Sequence, residues 1–141
     1  MKTIEEVQQE IIDEFSVYED WMDKYAWLIE LGNELEPIDQ KEKNDQNLIK
    51  GCQSRVWLVA EKENSHIRFR GESDAVIVKG LVVLLLRVFS GRTAREILNS
   101  NLHFIDDLGL KQHLSPTRSN GLLAMVKQIR LYAVAYDRLE R

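Results

Sequence analysis

The chain has few cysteines and no long apolar run, and each shortage excludes a class of protein. Cys52 is the only cysteine, so no intrachain disulfide can form. A cysteine zinc site or an all-cysteine iron–sulfur site within one chain is excluded as well. The longest aliphatic run, Leu81 to Leu86, has six residues, whereas a membrane helix needs about 20. The first residues also lack the apolar stretch of a secretory signal. We therefore expect a cytoplasmic protein without a membrane span.

The charge balance is modest overall but uneven along the chain. The 141 residues carry a net charge of −4, and their number predicts a single domain, residues 1–141. Residues 1–47 have a balance of −10, and residues 48–141 have a balance of +6. This asymmetry indicates either solvated helix faces or a surface that steers a charged partner. The basic residues of the second part are dispersed, which is not typical of a nucleic-acid-binding protein.

Apolar spacing predicts two helices near the N-terminus. Thr3 and Glu6 have the spacing of a capping box, which favours a helix starting after Thr3. A second helix is predicted to start at Ser16 and to end at Gly32. Because the connection is short, the two helices are expected to form an antiparallel hairpin. The polar stretch 36–47 predicts a surface loop.

The middle of the chain predicts a β-hairpin followed by a core helix. Alternating apolar residues indicate strands at 56–60 and 66–70, with a turn at 62–65. Residues 75–89 are almost all apolar, which is typical of a helix buried on most sides. Ser73 or Asp74 is expected to cap this helix, and Gly91 is expected to end it.

Shorter elements complete the predicted fold. Thr93 and Glu96 form a second capping-box pattern, and residues 104–108 predict a helical turn that stops at Gly109. Residues 114–121 are expected to be an irregular connection before a last helix over 122–136. The order of helices, hairpin and helices predicts an α+β fold, with a small antiparallel sheet packed on a helical layer.

Most chemistry-bearing residue types show no productive spacing. The sequence has no glycine-rich phosphate loop. His66, His103 and His113 are far apart and match no common metal-ligand spacing. We therefore predict no metal site and no cofactor bound by this chain.

Cys52 stands out because of its neighbours. Gly51 permits an unusual backbone angle, and Gln53 and Ser54 add polar groups just before an apolar strand. This context favours a cysteine presented to a partner. The alternative is a small buried hydrophobic residue, which is the common fate of a free cysteine. Lys50 is close enough in sequence to lower the thiol pKa, although a solvated lysine does so weakly.

Four segments in order resemble the SufE family of sulfur acceptors in iron–sulfur cluster assembly, and together they span most of the chain. The motif around Cys52 is LIKGCQSRVWL at residues 48–58. The others are SDAVIVKGL at 73–81, LLRVFSG at 85–91 and LSPTRSNGL at 114–122. Trp21, Tyr25, Leu28, Gly32 and Leu35 also fit the opening helices of that family.

The resemblance implies a sulfur-transfer accessory protein rather than a stand-alone enzyme. Cys52 would accept sulfur from the persulfide of a cysteine desulfurase, stimulate that enzyme and pass the sulfur to an iron–sulfur scaffold or another acceptor. Pyridoxal phosphate would belong to the desulfurase. The implied fold is similar to that of IscU-type scaffolds. Gly51, Gln53 and Ser54 would form the supporting loop.

Two further expectations concern the partner. The basic residues Lys50 and Arg55 flank the thiol in sequence and are candidates for docking the desulfurase. One alternative function is a binding adaptor with an inert, buried Cys52. A cluster scaffold is disfavoured, because such sites need about three or four protein ligands. The sequence leaves open the identity of the desulfurase and of the final acceptor, and the choice between a monomer and a homodimer.

Overall fold

The computed structural model describes residues 2–140 and has the predicted α+β fold. Its helices are α1 (Ile4–Ser16), α2 (Trp21–Asn33), α3 (Val76–Phe89), α4 (Ala94–Leu98), α5 (Phe104–Leu108), α6 (Leu110–His113) and α7 (Pro116–Leu139). Its strands are β1 (Val56–Glu63), β2 (His66–Ser73) and β3 (Arg92–Thr93). A 3₁₀ turn lies at Gln40–Glu42. None of the helices in the described chain is long and apolar enough to cross a bilayer.

The sheet is antiparallel, with the strand order β1–β2–β3. The hairpin is longer than predicted, because Glu63 pairs with His66 and only Asn64 and Ser65 form the turn. Asn64 accommodates the turn with a φ of 58°, which asparagine tolerates better than most residues. The segment just before Cys52 also extends the sheet, since the Ile49 amide donates to the Val56 carbonyl at 2.8 Å.

Helix α3 is the centre of the core, as its apolar sequence predicts. It packs on β2 and along α2, and Leu81, Val88 and Phe89 are fully buried. The helices α2 and α3 approach closely because each contributes a glycine. A Cβ on Gly80 would lie 2.2 Å from the Leu28 carbonyl oxygen, and a Cβ on Gly32 would lie 2.8 Å from the Gly80 amide.

The predicted hairpin of α1 and α2 is wrong. Each helix packs on α3, and α1 also packs on α5. Gly32 is part of the contact between α2 and α3, and α2 continues one residue beyond it. The predicted start of α2 at Ser16 is wrong as well, because Ser16 is the last residue of α1. Asp20 caps α2 instead, accepting from the Asp23 amide at 2.9 Å.

Of the other predicted helix boundaries, those at Thr3, Thr93 and Gly109 are confirmed, and the predicted start of the last helix is wrong. Thr3 with Glu6 and Thr93 with Glu96 form the predicted capping boxes, and Gly109 ends α5 with a φ of 73°. The predicted irregular connection at 114–121 is wrong, since α7 already begins at Pro116 behind its cap Ser115. A serine followed by proline at the first helical position is a start signal.

The polar loop at 36–47 packs on part of the outer face of the sheet. The Arg70 guanidinium, on that face, is paired with the carboxylates of Glu42 and Glu61. The Ile38 amide donates to the Glu72 carboxylate at 3.0 Å, and the Ile38 side chain is buried. The sheet is therefore covered by helices on one face and partly covered by this loop on the other, where Arg68 stays exposed.

Candidate functional site

The loop that carries Cys52 is anchored at both ends. At its start, Ile49 is hydrogen-bonded to Val56 of β1. At its end, the Arg55 backbone is held by two residues that precede α3. The Ser73 hydroxyl donates to the Arg55 carbonyl at 2.8 Å, and the Arg55 amide donates to the Asp74 carboxylate at 3.1 Å. The Asp74 amide also donates to the Arg55 carbonyl, at 3.2 Å.

These contacts correct the predicted role of Ser73 and Asp74. Neither is the N-cap of α3, because Ala75 holds that position without a side-chain cap bond. The Ser73 hydroxyl does accept a hydrogen bond from the Ala75 amide at 3.2 Å. The same hydroxyl donates its hydrogen bond to the Arg55 carbonyl. The two polar side chains therefore tie the end of the cysteine loop to the beginning of the core helix.

Between its anchors the loop has little regular support. The backbone from Lys50 to Ser54 makes none of the well-formed backbone hydrogen bonds seen at Ile49 and Arg55. Gly51 has a φ of 90°, a left-handed conformation that glycine adopts without strain. A segment with few backbone hydrogen bonds opens at low free energy, so this loop is well suited to move.

The thiol of Cys52 rests on helix α7. Its Sγ lies 3.6 Å from the Gly121 carbonyl oxygen, to which the S–H donates. A Cβ on Gly121 would lie 3.3 Å from Sγ, so any larger residue there would require the sulfur to shift by a few tenths of an ångström. The side chain is half-buried, and burial raises the pKa of the Cys52 thiol. Near neutral pH the resting side chain is therefore mainly the neutral thiol.

A cavity of about 310 Å³ opens beside Cys52. Its apolar lining residues are Val56, Val78 and Met125, and its polar lining residues are Gln53, Ser54, Ser115, Thr117 and Arg118. Three of the polar residues come from the N-cap and the first turn of α7, where the Ser115 hydroxyl accepts from the Arg118 amide at 3.3 Å. The site is thus built from the cysteine loop on one side and the N-terminus of α7 on the other.

The structure brings together only some of the residues singled out from the sequence. Gln53 and Ser54 line the cavity with Cys52, whereas Gly51 is exposed behind it. Lys50 and Arg55 are exposed and do not line this cavity. Their functional roles stay predictions.

Sequence reasoning missed Thr117 and Arg118 as parts of the site. The Ser115-Pro116 pair could have identified them, because it starts a helix whose first turn lines the same cavity as Cys52. Lys50 instead lines a second cavity, of about 490 Å³, together with Lys127 of α7.

The histidines form no metal site. His103 is paired with Glu5 of α1 and Asp107 of α5. The His113 ring stacks on Trp21 with the ring centroids 4.1 Å apart, and His66 lies exposed at the start of β2. Within residues 2–140, no three histidine, cysteine or acidic side chains lie close enough together to hold a metal ion.

Comparison with known proteins gives a family match and a fold match. The family model described as "SufE: Fe-S metabolism associated domain" matches residues 9–133. The solution structure of a hypothetical protein from Thermus thermophilus is similar in fold, with a TM-score of 0.74. That alignment covers 92% of this chain and 95% of the other at 18% sequence identity, so it supports the fold and says nothing of activity.

Proposed function

Because the chain belongs to the SufE family, whose domain is associated with Fe–S metabolism, we propose that Cys52 is a sulfur acceptor. It takes a sulfane sulfur from the persulfide of a pyridoxal-phosphate-dependent cysteine desulfurase and stimulates that enzyme. It then passes the sulfur to an iron–sulfur scaffold or another acceptor. The observation that carries this proposal is the placement of the only thiol, half-buried beside a cavity that has room for an added sulfur atom.

The transfer is a thiol exchange at sulfur. The Cys52 thiolate attacks the outer sulfur of the donor persulfide, the bond between the two donor sulfurs breaks, and the donor leaves as a thiolate. The proton lost by Cys52 balances the one that the leaving thiolate takes up. No oxidant, reductant or second cysteine is required, which fits a chain with a single cysteine.

The resting structure holds the thiol in a protected, poorly reactive form. The S–H donates to the Gly121 carbonyl, and burial holds the pKa of Cys52 above its ordinary value. Movement of the weakly supported loop 50–54 would hydrate the sulfur and remove the desolvation that raises the pKa. We propose that docking of the desulfurase drives this movement, so that the thiolate forms mainly in the complex.

Once loaded, the cavity suits a persulfide. The added sulfur is polarisable and fits beside Val56, Val78 and Met125. A persulfide that ionises places negative charge in this cavity, where Arg118 is the one charged lining residue among residues 2–140, and this cation favours the anion. Sheltering within the fold slows oxidation of the sulfur by solution oxidants, because susceptibility follows exposure.

One observation favours the alternative of a binding adaptor. The raised pKa and half-burial of Cys52 are also typical of an inert structural cysteine. In that case the chain would bind the desulfurase without taking sulfur.

Mass spectrometry separates the two functions. The protein is incubated with a cysteine desulfurase and cysteine in the absence of reductant. Sulfur acceptance predicts a gain of one sulfur atom, about 32 Da, on the peptide that contains Cys52. The Cys52→Ser variant should bind the desulfurase and fold normally but gain no sulfur. Binding by the wild type without a mass gain would support the adaptor and contradict the sulfur acceptor.

A further inference from the structure

The cavity beside Cys52 is far larger than the sulfur atom it is proposed to shelter. A water molecule occupies about 30 Å³ in the liquid, and a sulfur atom is of similar size. The cavity of about 310 Å³ therefore holds several more heavy atoms than a single persulfide sulfur. This spare room needs an explanation of its own.

The lining of the cavity has an apolar part and a polar part. Val56, Val78 and Met125 are the apolar part, which suits a soft, polarisable atom. The polar part is Ser115, Thr117 and Arg118 at the start of α7 together with Gln53 and Ser54 of the cysteine loop. A ligand that matches both parts has a soft sulfur at one end and hydrogen-bond-accepting oxygens at the other.

The charge of the ligand follows from Arg118. Within residues 2–140, no Asp or Glu carboxylate forms an ion pair with its guanidinium, whereas Arg70, Arg87 and Arg95 each have a carboxylate partner. Of the residues that the structure describes, no Asp or Glu lines the cavity either. Arg118, Ser115 and Thr117 are exposed side chains that line the same cavity. A guanidinium without a carboxylate partner is suited to an oxyanion, which it can bind through two oxygens.

We propose that Cys52 also takes sulfur directly from small anionic sulfane donors of the thiosulfate type. This inference rests on the proposed function, because it uses the same thiol and yields the same persulfide. Arg118, Ser115 and Thr117 bind the sulfonate oxygens. The sulfane sulfur lies in the apolar part of the cavity next to Sγ.

The reaction balances without a further reagent. The reacting species is the small fraction of Cys52 that is ionised in the free protein, its proton having passed to solvent. The thiolate then attacks the sulfane sulfur of thiosulfate, a sulfur–sulfur bond forms on Cys52, and the sulfur–sulfur bond of thiosulfate breaks. The bonding electron pair leaves with the sulfonate group as sulfite. The charge is −3 before and after the step, and in reverse sulfite accepts the sulfur from the loaded protein.

The test measures sulfur loading from thiosulfate alone. The purified full chain is incubated anaerobically with sodium thiosulfate, and both the mass gain on Cys52 and the released sulfite are quantified. We expect equal amounts of the two products in the wild type. Arg118→Ala should lower the second-order rate constant about ten-fold or more, since it removes a charge-assisted, two-point contact. Arg118→Lys should restore part of the loss, because it keeps the charge but not the fork.

Two controls isolate the cavity. Arg138→Ala removes an exposed arginine from the last turn of α7 and should leave the rate unchanged. Alkylation by iodoacetamide, an uncharged reagent, reports thiol reactivity without using an oxyanion site. It should therefore change much less than thiosulfate loading in Arg118→Ala.

The outcomes separate this inference from the proposed function. Loading by a desulfurase together with no loading by thiosulfate overturns the inference and leaves the proposed function standing. Loading by thiosulfate that is unaffected in Arg118→Ala overturns the assignment of the oxyanion to this cavity. Failure of both donors to load Cys52 contradicts the proposed function as well.

Discussion

Cys52 lies against a residue that has no side chain, and this contact determines the room available to the thiol. The Gly121 carbonyl accepts the S–H at 3.6 Å, while the missing Cβ leaves the space that Sγ occupies. A glycine within α7 lowers helix stability by about 0.5–1 kcal/mol relative to alanine. The helix therefore tolerates a less favourable residue at the point where the thiol is stored.

The substitution Gly121→Ala tests this storage role, in which the contact with Gly121 keeps the Cys52 thiol in its resting, poorly reactive position. The new Cβ would lie 3.3 Å from Sγ, so the sulfur must shift by a few tenths of an ångström, which weakens its contact with the carbonyl. We expect faster alkylation of Cys52 by iodoacetamide in the folded protein. The melting temperature should change little, because the gain in helix propensity offsets the tight contact. Asn120→Ala, at the exposed neighbouring position, is the control. Equal alkylation rates in both variants and the wild type would contradict the storage role.

At the scale of elements, the junction between β2 and α3 holds the cysteine loop in place. Ser73 and Asp74 bind the backbone of Arg55 rather than capping α3. The strand end, the helix start and the functional loop therefore share one small set of hydrogen bonds. A change at this junction acts on Cys52 although it lies outside the cavity.

The Asp74→Ala variant should loosen the loop without unfolding the protein. It removes the acceptor of the Arg55 amide bond, a loss of about 1 kcal/mol, and it leaves the Ser73 contact in place. We expect faster amide hydrogen exchange at residues 50–55 and faster alkylation of Cys52. Asp106→Ala, which removes an exposed carboxylate from α5, should change neither. Unaltered exchange at 50–55 in Asp74→Ala would mean that the loop is held by other contacts.

The core helix can be tested by a cavity-creating substitution. Leu84 is 1% exposed, so Leu84→Ala should lower the free energy of unfolding by roughly 2–5 kcal/mol. Leu131→Ala, at a position that is 50% exposed, should have a much smaller effect. The two values are compared by urea denaturation, and similar values would show that α3 is not the centre of the core.

Periodicity and capping patterns predicted the elements better than their packing. The β-hairpin of β1 and β2 and the apolar helix at 75–89 could be predicted from the spacing of apolar residues alone. The capping boxes at Thr3 and Thr93 could be predicted too, because each depends on two residues only three positions apart. The pairing of α2 with α3 could not be predicted this way, because it depends on Gly32 and Gly80, which are distant in sequence. Cys52 could be selected as a candidate from its neighbours and its family resemblance, and its role stays a prediction. The cavity could not, because it also needs the correct start of α7.

At the scale of the whole molecule, His103 joins the N-terminal helix to the second half of the chain. Its Nε2 lies 2.8 Å from the Glu5 carboxylate of α1, and its Nδ1 is bonded to Asp107 of α5. The hydrogen bonds to Asp107 and Glu5 raise the pKa of His103. The imidazolium is therefore more stable in the folded chain than in the unfolded chain.

Stability should depend on pH in the direction that a raised histidine pKa requires. The contribution is fully present below the unfolded pKa of about 6.5, and it is lost as the pH rises through the higher folded pKa. Because the pair is partly exposed, we expect a difference of only about 0.5 kcal/mol. The measurement compares the wild type with His103→Gln by urea denaturation at about pH 6 and pH 9. A gap between the two proteins that is no larger at the lower pH would contradict this assignment.

Docking of the desulfurase should depend on charges around the cysteine loop. Lys50 and Arg55 are exposed there, and only charges within about 8–10 Å of a partner act strongly at physiological salt. We expect Lys50→Glu and Arg55→Glu to weaken binding, mainly through slower association, with a smaller difference from wild type at high salt. Arg68→Glu, in the far half of β2, is the control. Affinity that is insensitive to both loop variants and to salt would place the contact elsewhere, with the acidic N-terminal helices next to be tested.

The two-residue turn at Asn64 and Ser65 lies at the opposite end of the hairpin from the cysteine loop. Strand β1 has eight residues, and a strand rises about 3.3 Å per residue. The turn is therefore roughly 25 Å from Val56, where the loop joins the sheet. A biotin or a fluorophore attached there would orient the molecule on a sensor surface with Cys52 facing the solution. Because the chain has one cysteine, such a handle must be an amino acid that does not carry a thiol, and the native sulfur then stays free to react.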